Sequence, residues 1–336
     1  MIRPHKNQEG FTLVELMIAM VLSLLLMAGA GSMFLGSKKT FKVQEESARI
    51  QENVRYVVTR MITDISPAGF YGCAPSAQDG SSQIESTVAS SDGLYTFDES
   101  ITGIEGGGPN NSDSLTVRFA RPEFSLPIIA PMTALDRAVR VDSNHPAYDE
   151  LEEGDIIAVS DCGLLAAFMI TNEPGGDGRI EHTVGPSVDG VSNSTEGTTH
   201  YFGGEPHSTA TVIKMDAVTY DLGTTTNTQD TSSTDDDTTI SSLYATRLGG
   251  NRDEILSGVE NFQVTYGIDD SNPPDSTSDR YVTWTNAQAL QNRIASIRIS
   301  LAINSGNPIS GTTGINQNFT ENIEFTVKLR NRLTDL

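Results

Sequence analysis

The N-terminal stretch Gly10–Glu15 reads GFTLVE, and Leu16–Gly36 follows it directly as LMIAMVLSLLLMAGAGSMFLG. This second segment has 21 residues and no charge. A helix of that length covers about 32 Å, close to the ~30 Å hydrocarbon core of a bilayer. The basic residues ahead of it, Arg3 and Lys6, predict that the N-terminus stays in the cytoplasm and that the rest of the chain is exported. A secretory signal peptide cleaved near Ala28–Ala30 is the alternative.

One acidic residue, Glu15, interrupts the apolar N-terminal region. A carboxylate within a membrane costs on the order of a few kcal/mol, so it is expected to have a cationic partner. No Lys or Arg lies between Phe11 and Ser37. The partner of Glu15 must therefore come from another protein or from a newly created α-amino group.

The six residues GFTLVE, with a short basic leader before them and an apolar helix after them, resemble the class III signal of type IV prepilins and type II secretion pseudopilins. The resemblance implies that a prepilin peptidase cuts between Gly10 and Phe11 and N-methylates Phe11. It also implies that Glu15, then the fifth residue, pairs with the N-terminal amine of a neighbouring subunit. The cut lies on the cytoplasmic side of the apolar segment, so that segment stays in the product.

Apolar residues continue at helical spacing beyond the uncharged segment. They are Phe41, Ala48, Val54, Val58, Met61 and Ile65. The sequence Pro67-Ala68-Gly69 then predicts a stop. Residues 11–36 are therefore expected to form a transmembrane or filament-core helix, and residues 37–66 its amphipathic continuation, together roughly 84 Å long. The charged side chains of the continuation are interpreted as a solvated or lightly paired face, with contact to acidic neighbouring subunits as the alternative.

The chain has 336 residues and a formal net charge of −22, and the acidity is concentrated in its middle. Residues 61–246 carry 29 Asp and Glu against 6 Lys and Arg. This excess disfavours nucleic acid held by a broad basic surface, because phosphate binding needs clustered Lys and Arg. The 30 glycines and the long polar tracts predict a loop-rich, largely β body over residues 67–336.

Eight segments of that body have the composition of strands. They are Leu115–Ala120, Arg137–Val141, Asp155–Ser160, Leu164–Thr171, Thr209–Tyr220, Gly258–Tyr266, Ile294–Ile303 and Asn322–Leu329. The connections 79–113 and 223–242 are long and polar, and the acidic second one is interpreted as a mobile surface loop. We predict an α+β fold in which a long N-terminal helix, membrane-spanning in its first half, packs on a β-rich, loop-rich, pilin-like head with antiparallel sheet.

The chain has two cysteines, Cys73 and Cys162. With the predicted topology both lie outside the cytoplasm, where an even pair most simply forms one disulfide. The chain-entropy treatment gives such a bridge, over a loop of about 90 residues, about 4 to 5 kcal/mol before native strain is subtracted. The spacing lacks Cys-x-x-Cys, which disfavours a redox-active role.

The sequence carries no common motif of catalysis. It has no His-Glu-x-x-His, Gly-x-Ser-x-Gly, P-loop or Gly-x-Gly-x-x-Gly, and we predict neither enzymatic activity nor a cofactor. Calcium is the alternative for the acidic segments. Its candidate ligands are Asp235–Asp237, or Asp269 and Asp270 with Asp275 and Asp279, but neither group has the spacing of an EF-hand.

Four further segments resemble those of PilW-type minor pilins. They are Ala68–Cys73, Gly154–Cys162, Leu256–Gly267 and Phe325–Arg332. The resemblance implies a minor pilin that joins other minor pilins and the major pilin at an inner-membrane assembly platform. Such a protein helps to initiate a type IV pilus and caps its tip, in support of twitching motility, adhesion or DNA uptake. The head is then periplasmic before assembly and at the cell surface afterwards.

Two other functions stay open at this point. A minor pseudopilin of a type II secretion system shares the same leader. A tip head that binds a surface ligand is compatible with pilus initiation and is suggested by the long polar loops. A membrane-anchored enzyme is disfavoured by the motifs that the sequence lacks.

Overall fold

The chain is described here by a computed structural model, which covers residues 12–72, 84–133, 138–161, 163–194, 201–203, 209–227, 238–250, 252–304, 309–310, 316–317 and 320–330. It divides into two compact units. Residues 1–52 and 307–319 form the first unit, and residues 53–306 and 320–336 form the second.

A single long helix, α1 (Leu13–Ile65), opens the described chain and confirms the predicted helix. The hydroxyl of Thr12 accepts a hydrogen bond from the Glu15 backbone N–H at 3.3 Å, which caps the N-terminal end. The helix ends two residues before Pro67. Gly69 then takes a φ of 77°, a left-handed backbone conformation that glycine adopts without the steric cost of a Cβ.

The rest of the described chain is mainly strands, which we number β1 to β20. They are β1 (Ile84–Ser86), β2 (Val88–Ala89), β3 (Ile101–Ile104), β4 (Ser114–Ala120), β5 (Leu126–Ala130), β6 (Val139–Val141), β7 (Ile156–Ser160), β8 (Leu165–Met169), β9 (Arg179–Ile180), β10 (Ser187–Val188), β11 (Val191–Asn193), β12 (Thr211–Asn227), β13 (Thr238–Arg247), β14 (Arg252–Ser257), β15 (Val259–Ile268), β16 (Arg280–Val282), β17 (Ile294–Asn304), β18 (Ile309–Ser310), β19 (Asn316–Gln317) and β20 (Thr320–Lys328). A short helix, α2 (Trp284–Ala287), lies between β16 and β17. All eight predicted strands are confirmed.

The largest sheet is organised around the long strand β12. Its first residues pair with β5 and β7, and its later residues pair with β4 and β13. Strands β8 and β1 extend the sheet beyond β7, and β6 and β9 extend it beyond β5. The pairing of β1 with β8 is parallel, whereas the others in this sheet are antiparallel. This confirms the predicted α+β class with antiparallel sheet.

A second sheet has the order β16-β15-β17-β20 and is antiparallel throughout. Phe262, Val264 and Tyr266 of β15 are buried at alternate positions, as the predicted strand pattern requires. Ile323 and Phe325 are only half-buried, because β20 is an edge strand of this sheet. Two small antiparallel sheets, β10-β11-β2 and β18-β19, complete the described strands.

The segment before β4 ties the two large sheets together. The Asp113 backbone N–H donates to the Phe262 carbonyl at 2.8 Å, and the Asp113 carboxylate accepts the N–H groups of Val264 and Gly106, each at 2.8 Å. A buried carboxylate with these partners satisfies groups that would otherwise be costly to bury. The link fixes β15 against the connection that leads into β4.

The interpretation of residues 223–242 as a mobile loop is wrong for the two ends of that segment, 223–227 and 238–242, whereas residues 228–237 lie outside the described residues. Strand β12 continues to Asn227, and β13 begins at Thr238, so ten residue pairs join the two strands. The tract is rich in threonine, whose β-branched side chain favours extended backbone, and antiparallel pairing satisfies the main-chain groups. The connection 79–113 likewise contains β1, β2 and β3. The acidic residues Asp235–Asp237 lie outside the described residues.

Candidate functional site

The first part of α1 presents an apolar surface without cover from the described chain. Residues 12–42 are all exposed, including Leu26 at 75% and Met27 at 76%. Among the described residues, α1 is the one helix long and apolar enough to cross a membrane, with a mean hydropathy of 2.3 in its most apolar window. A face of this kind is stable only in lipid or against other apolar helices.

Glu15 lies in the first turn of this helix and is exposed. The predicted processing site, Gly10 and Phe11, lies outside the described residues. Thr12 and Glu15 have the spacing of a capping box, in which two hydrogen bonds join the residues. The structure shows one of them, from the Glu15 backbone N–H to the Thr12 hydroxyl. A carboxylate is also favoured near a helix N-terminus by the helix dipole. Glu15 therefore has a local role in the helix besides any pairing with another subunit.

The last turns of α1 bury a narrower stripe than the sequence predicted. Met61 and Ile65 are fully buried, as expected, and Val57 belongs to the same stripe. Phe41 and Ala48, two apolar positions of the predicted continuation, are exposed in the described chain. They lie in the first unit of the chain, and the buried stripe runs at spacings of four residues within the second unit.

An acid, Asp64, is buried beside this stripe, with its side chain 7% exposed. The Tyr220 hydroxyl of β12 donates to Asp64 Oδ2 at 2.5 Å. The Arg247 guanidinium at the end of β13 forms an ion pair with Asp64 Oδ1. Arg60, one turn earlier in α1, lies 3.9 Å from the same carboxylate. The end of the helix is thus bonded to the two central strands of the large sheet.

The network continues through Asp216 of β12, whose side chain is also 7% exposed. Arg247 donates to Asp216 Oδ2 at 2.9 Å, and Arg121 lies 3.5 Å from the same oxygen. Burial alone would lower the pKa of Arg247, but the charges of Asp64 and Asp216 outweigh this effect and raise it. Burial, together with the adjacent Asp64 charge, raises the pKa of Tyr220 well above its ordinary value, so the phenol remains a donor. The cluster is therefore held as a protonated tyrosine with paired charges.

Arg118 of β4 is a buried cation that holds a loop of the head in place. Its guanidinium donates to the carbonyl oxygens of Leu94, Glu99 and Gly93 at 3.0, 2.7 and 2.5 Å. Burial lowers the pKa of Arg118, and nearby acids oppose this shift only in part. These hydrogen bonds hold the segment that precedes β3.

The buried roles of three charged residues, Asp64, Asp216 and Arg118, were not predicted from the sequence. Each is a charged residue inside an otherwise apolar pattern. Asp64 lies three residues after Met61 and next to Ile65, and Arg118 lies between Val117 and Phe119 in a strand. A charge in such a position needs a partner, because burying it alone is costly. That signal identifies a buried ion pair but not which residues form it.

The acidic candidates for calcium that the structure describes are engaged with the protein itself. The Asp269 carboxylate accepts N–H groups from Ser271, Asp275 and Ser276 at 2.9, 2.9 and 2.8 Å. Asp270 pairs with Arg280 at 2.5 Å. Among the described residues, no group of three or more His, Cys, Asp or Glu is arranged to hold a metal ion. Cys73 and Cys162 lie outside the described residues, so their pairing stays a prediction.

The Asp269 loop predicts a pH-dependent stability. Desolvation raises the pKa of Asp269, but the three backbone hydrogen bonds outweigh it and leave the pKa below the ordinary 3.8. Its contribution is then complete above that ordinary value and is lost as the pH falls through the lower folded value. We expect Asp269→Asn to lower the urea midpoint of the full chain at pH 7, with a smaller effect at pH 3. Asp270→Asn, at an exposed pair, is the matched control; an equal effect of Asp269→Asn at both pH values would contradict the prediction.

Two protein-family models match parts of this chain. The model of the prokaryotic N-terminal methylation motif matches residues 5–31, and the model of the type IV pilus-assembly protein W matches residues 219–331. Together these matches support a PilW-type pilin with a class III leader. No curated protein and no solved structure matches the chain significantly.

The two matches cover the apolar N-terminal part of the chain and its C-terminal third. The first includes Glu15 and the exposed apolar part of α1, as in a membrane-anchored pilin. The second includes Tyr220 and Arg247, which hold the end of α1, and the second large sheet. The two matches support a type IV pilus minor pilin, and they point to a structural component of the pilus. Membership of the family implies contact with other pilus components and with a prepilin peptidase.

Proposed function

We propose that this minor pilin helps to initiate type IV pilus assembly and caps the pilus tip, in support of twitching motility, adhesion or DNA uptake. The observation that carries the proposal is the joint presence of the methylation motif and of the PilW match in one chain. The exposed apolar helix supports it, because an assembling subunit must offer such a surface to lipid first and to other helices later. The head, residues 67–336, is proposed to be periplasmic before assembly.

The proposed processing follows from the leader. The peptidase cuts after Gly10, methylates Phe11 and leaves residues 11–36 as the membrane and filament-core helix. Glu15 then pairs with the amine of a neighbouring subunit, because a buried carboxylate that lacks a cation is strongly disfavoured. A disulfide between Cys73 and Cys162 is proposed to brace the start of the head after export.

Deletion of the protein tests the proposed function directly. Surface pili are counted and secreted enzymes are measured in the same strain. Loss of pili with normal secretion supports a pilus minor pilin, whereas lost secretion with normal pili supports a type II pseudopilin. Normal values for both would overturn the proposal.

The role of Glu15 has a test of its own. We expect Glu15→Ala to reduce co-purification of partner pilins about tenfold or more, because the neighbouring amine loses its buried counter-ion. Glu15→Gln removes the charge but keeps an acceptor for the capping box, and we expect a similar loss. Thr12→Ala removes the helix cap but keeps the charge, and it should assemble better than either. Normal co-purification of Glu15→Gln would remove the charge from the mechanism.

A further inference from the structure

A pocket of about 660 Å³ opens where α1 ends within the second unit of the chain. The last turn of α1 and the segment after it form one wall, and the end of β4, β12 and β13 form the other. Its size is within the range of sites that hold a ligand or a few residues of peptide. Asp64 and Asp216 line the pocket, but the ion-pair network that they form does not account for the cavity itself.

The apolar part of the wall is unusual because some of it is open to solvent. Ile62 of α1 is 39% exposed, and it is one of the few large apolar side chains that are exposed in this part of the chain. The half-buried Phe70 and the buried Phe119 also line the pocket. An occupant of this wall therefore gains from burying apolar side chains of its own.

The charges that remain for an occupant are those of Arg330, Glu123 and the partly exposed Arg121. Asp64 and Asp216 are already paired with Arg247, and Arg121 adds a second contact to Asp216. Arg121 is still 38% exposed, and Arg330, which also lines the pocket, is exposed.

Arg330 is held at this position by its main chain. Its backbone N–H donates to the Ser66 carbonyl at 3.0 Å, directly after the end of α1. No carboxylate of the described residues forms an ion pair with its guanidinium. Glu123 is the one acid that lines the pocket outside the Asp64 and Asp216 network.

We propose that this pocket binds an acidic segment of a neighbouring pilin subunit, with a carboxylate on Arg330 and Arg121 and an apolar side chain against Ile62 and Phe70. The inference rests on the proposed function, which brings other subunits next to α1. Complementary charge favours such a segment, since Asp64 and Asp216 are already paired, whereas the exposed guanidinium of Arg330 forms no ion pair with a carboxylate of the described residues. A lipid headgroup would use the same cations, and the experiment separates it from a protein.

The test uses the full chain in piliated cells, with a photo-crosslinking amino acid in place of Ile62. We expect a crosslink to another pilus subunit, at a peptide that contains Asp or Glu. Arg330→Glu should reduce the crosslink at least about fivefold, and Arg330→Gln should reduce it less. Replacing the acid of the crosslinked peptide with Lys should restore the yield in the Arg330→Glu chain. The control position is Ile129 of β5, which is 64% exposed and does not line the pocket.

Three results would overturn the inference. They are a crosslink to lipid alone, a crosslink to a peptide without an acid, and a yield that Arg330→Glu leaves unchanged. Fluorescence of Trp284, the single tryptophan, reports whether each variant is folded. Pilus counts in the deletion strain test the proposed function separately. A normal pilus count would contradict the proposed function, whereas a crosslink that Arg330→Glu leaves unchanged would contradict only the binding of an acidic segment in this pocket.

Discussion

Replacing Asp64 with alanine is expected to destabilise the head by about 3 kcal/mol, near the lower end of the cost of breaking a buried ion pair from one side. The lower end applies because Arg247 is 34% exposed and retains Asp216 as a partner. The substitution also leaves the buried Tyr220 hydroxyl without its acceptor. The result is measured as the urea midpoint of the full chain in detergent, followed by Trp284 fluorescence.

Two variants separate the parts of this network. Tyr220→Phe removes only the donated hydrogen bond and is expected to cost about 1.5 to 3 kcal/mol, the usual value for a bond to a charged group. Asp64→Ala and Arg247→Ala together should cost less than the sum of the single changes, because both remove the same pair. Glu45→Gln, at an exposed acid of the same helix, should change the midpoint little. An unchanged midpoint for Asp64→Ala would show that the network does not stabilise the head.

The network also has a consequence for assembly. It bonds the end of α1 to β12 and β13, so a force or displacement on the last turns of the helix reaches the large sheet through charged contacts. A weakened network is therefore expected to loosen the pocket beside Arg330 as well, since Asp64 and Arg247 line it. Crosslinking from Ile62 in the Asp64→Ala chain should fall even where the chain remains folded.

The parts of this fold that were predictable from sequence depend on local pattern. The long helix follows from an apolar run and a spacing close to 3.6 residues, and its end follows from Pro67. The strands follow from short β-branched and apolar runs with period 2, such as Phe262, Val264 and Tyr266. These signals depend only on residues that are close together in the chain, so they are visible before the fold is known.

The parts that were not predictable depend on contacts between distant residues. Asp64 and Arg247 are 183 positions apart in sequence, and Asp113 and Val264 are 151 apart. The extension of β12 and β13 into a polar tract also needed the partner strand, because threonine-rich sequence is compatible with a loop until its main-chain groups are paired. In contrast, the leader was identified from its motif alone, although Gly10 and Phe11 lie outside the described residues.

Replacing Gly10 with valine is expected to abolish processing, the largest effect predicted for this chain. Glycine lets the backbone approach an enzyme closely, and a β-branched side chain next to the cleaved bond removes that freedom. The unprocessed chain keeps Arg3 and Lys6 on its leader and gains no new amine at Phe11. Mass spectrometry of the isolated protein should therefore find residues 1–10 still attached and no methyl group on Phe11.

The same variant tests whether processing and Glu15 act in one step. In the proposed assembly, the α-amine created at Phe11 of one subunit pairs with the Glu15 carboxylate of a neighbouring subunit. Gly10→Val prevents the cut that creates this amine, so Glu15 loses its partner. Adding Glu15→Ala to Gly10→Val should then reduce assembly no further, because coupled changes are not additive. Gly31→Val is the matched control, since a Cβ at Gly31 would meet no atom within 4 Å, and this variant should be processed normally. A mature mass in the Gly10→Val chain equal to that of the unmodified protein would show that the cut lies elsewhere.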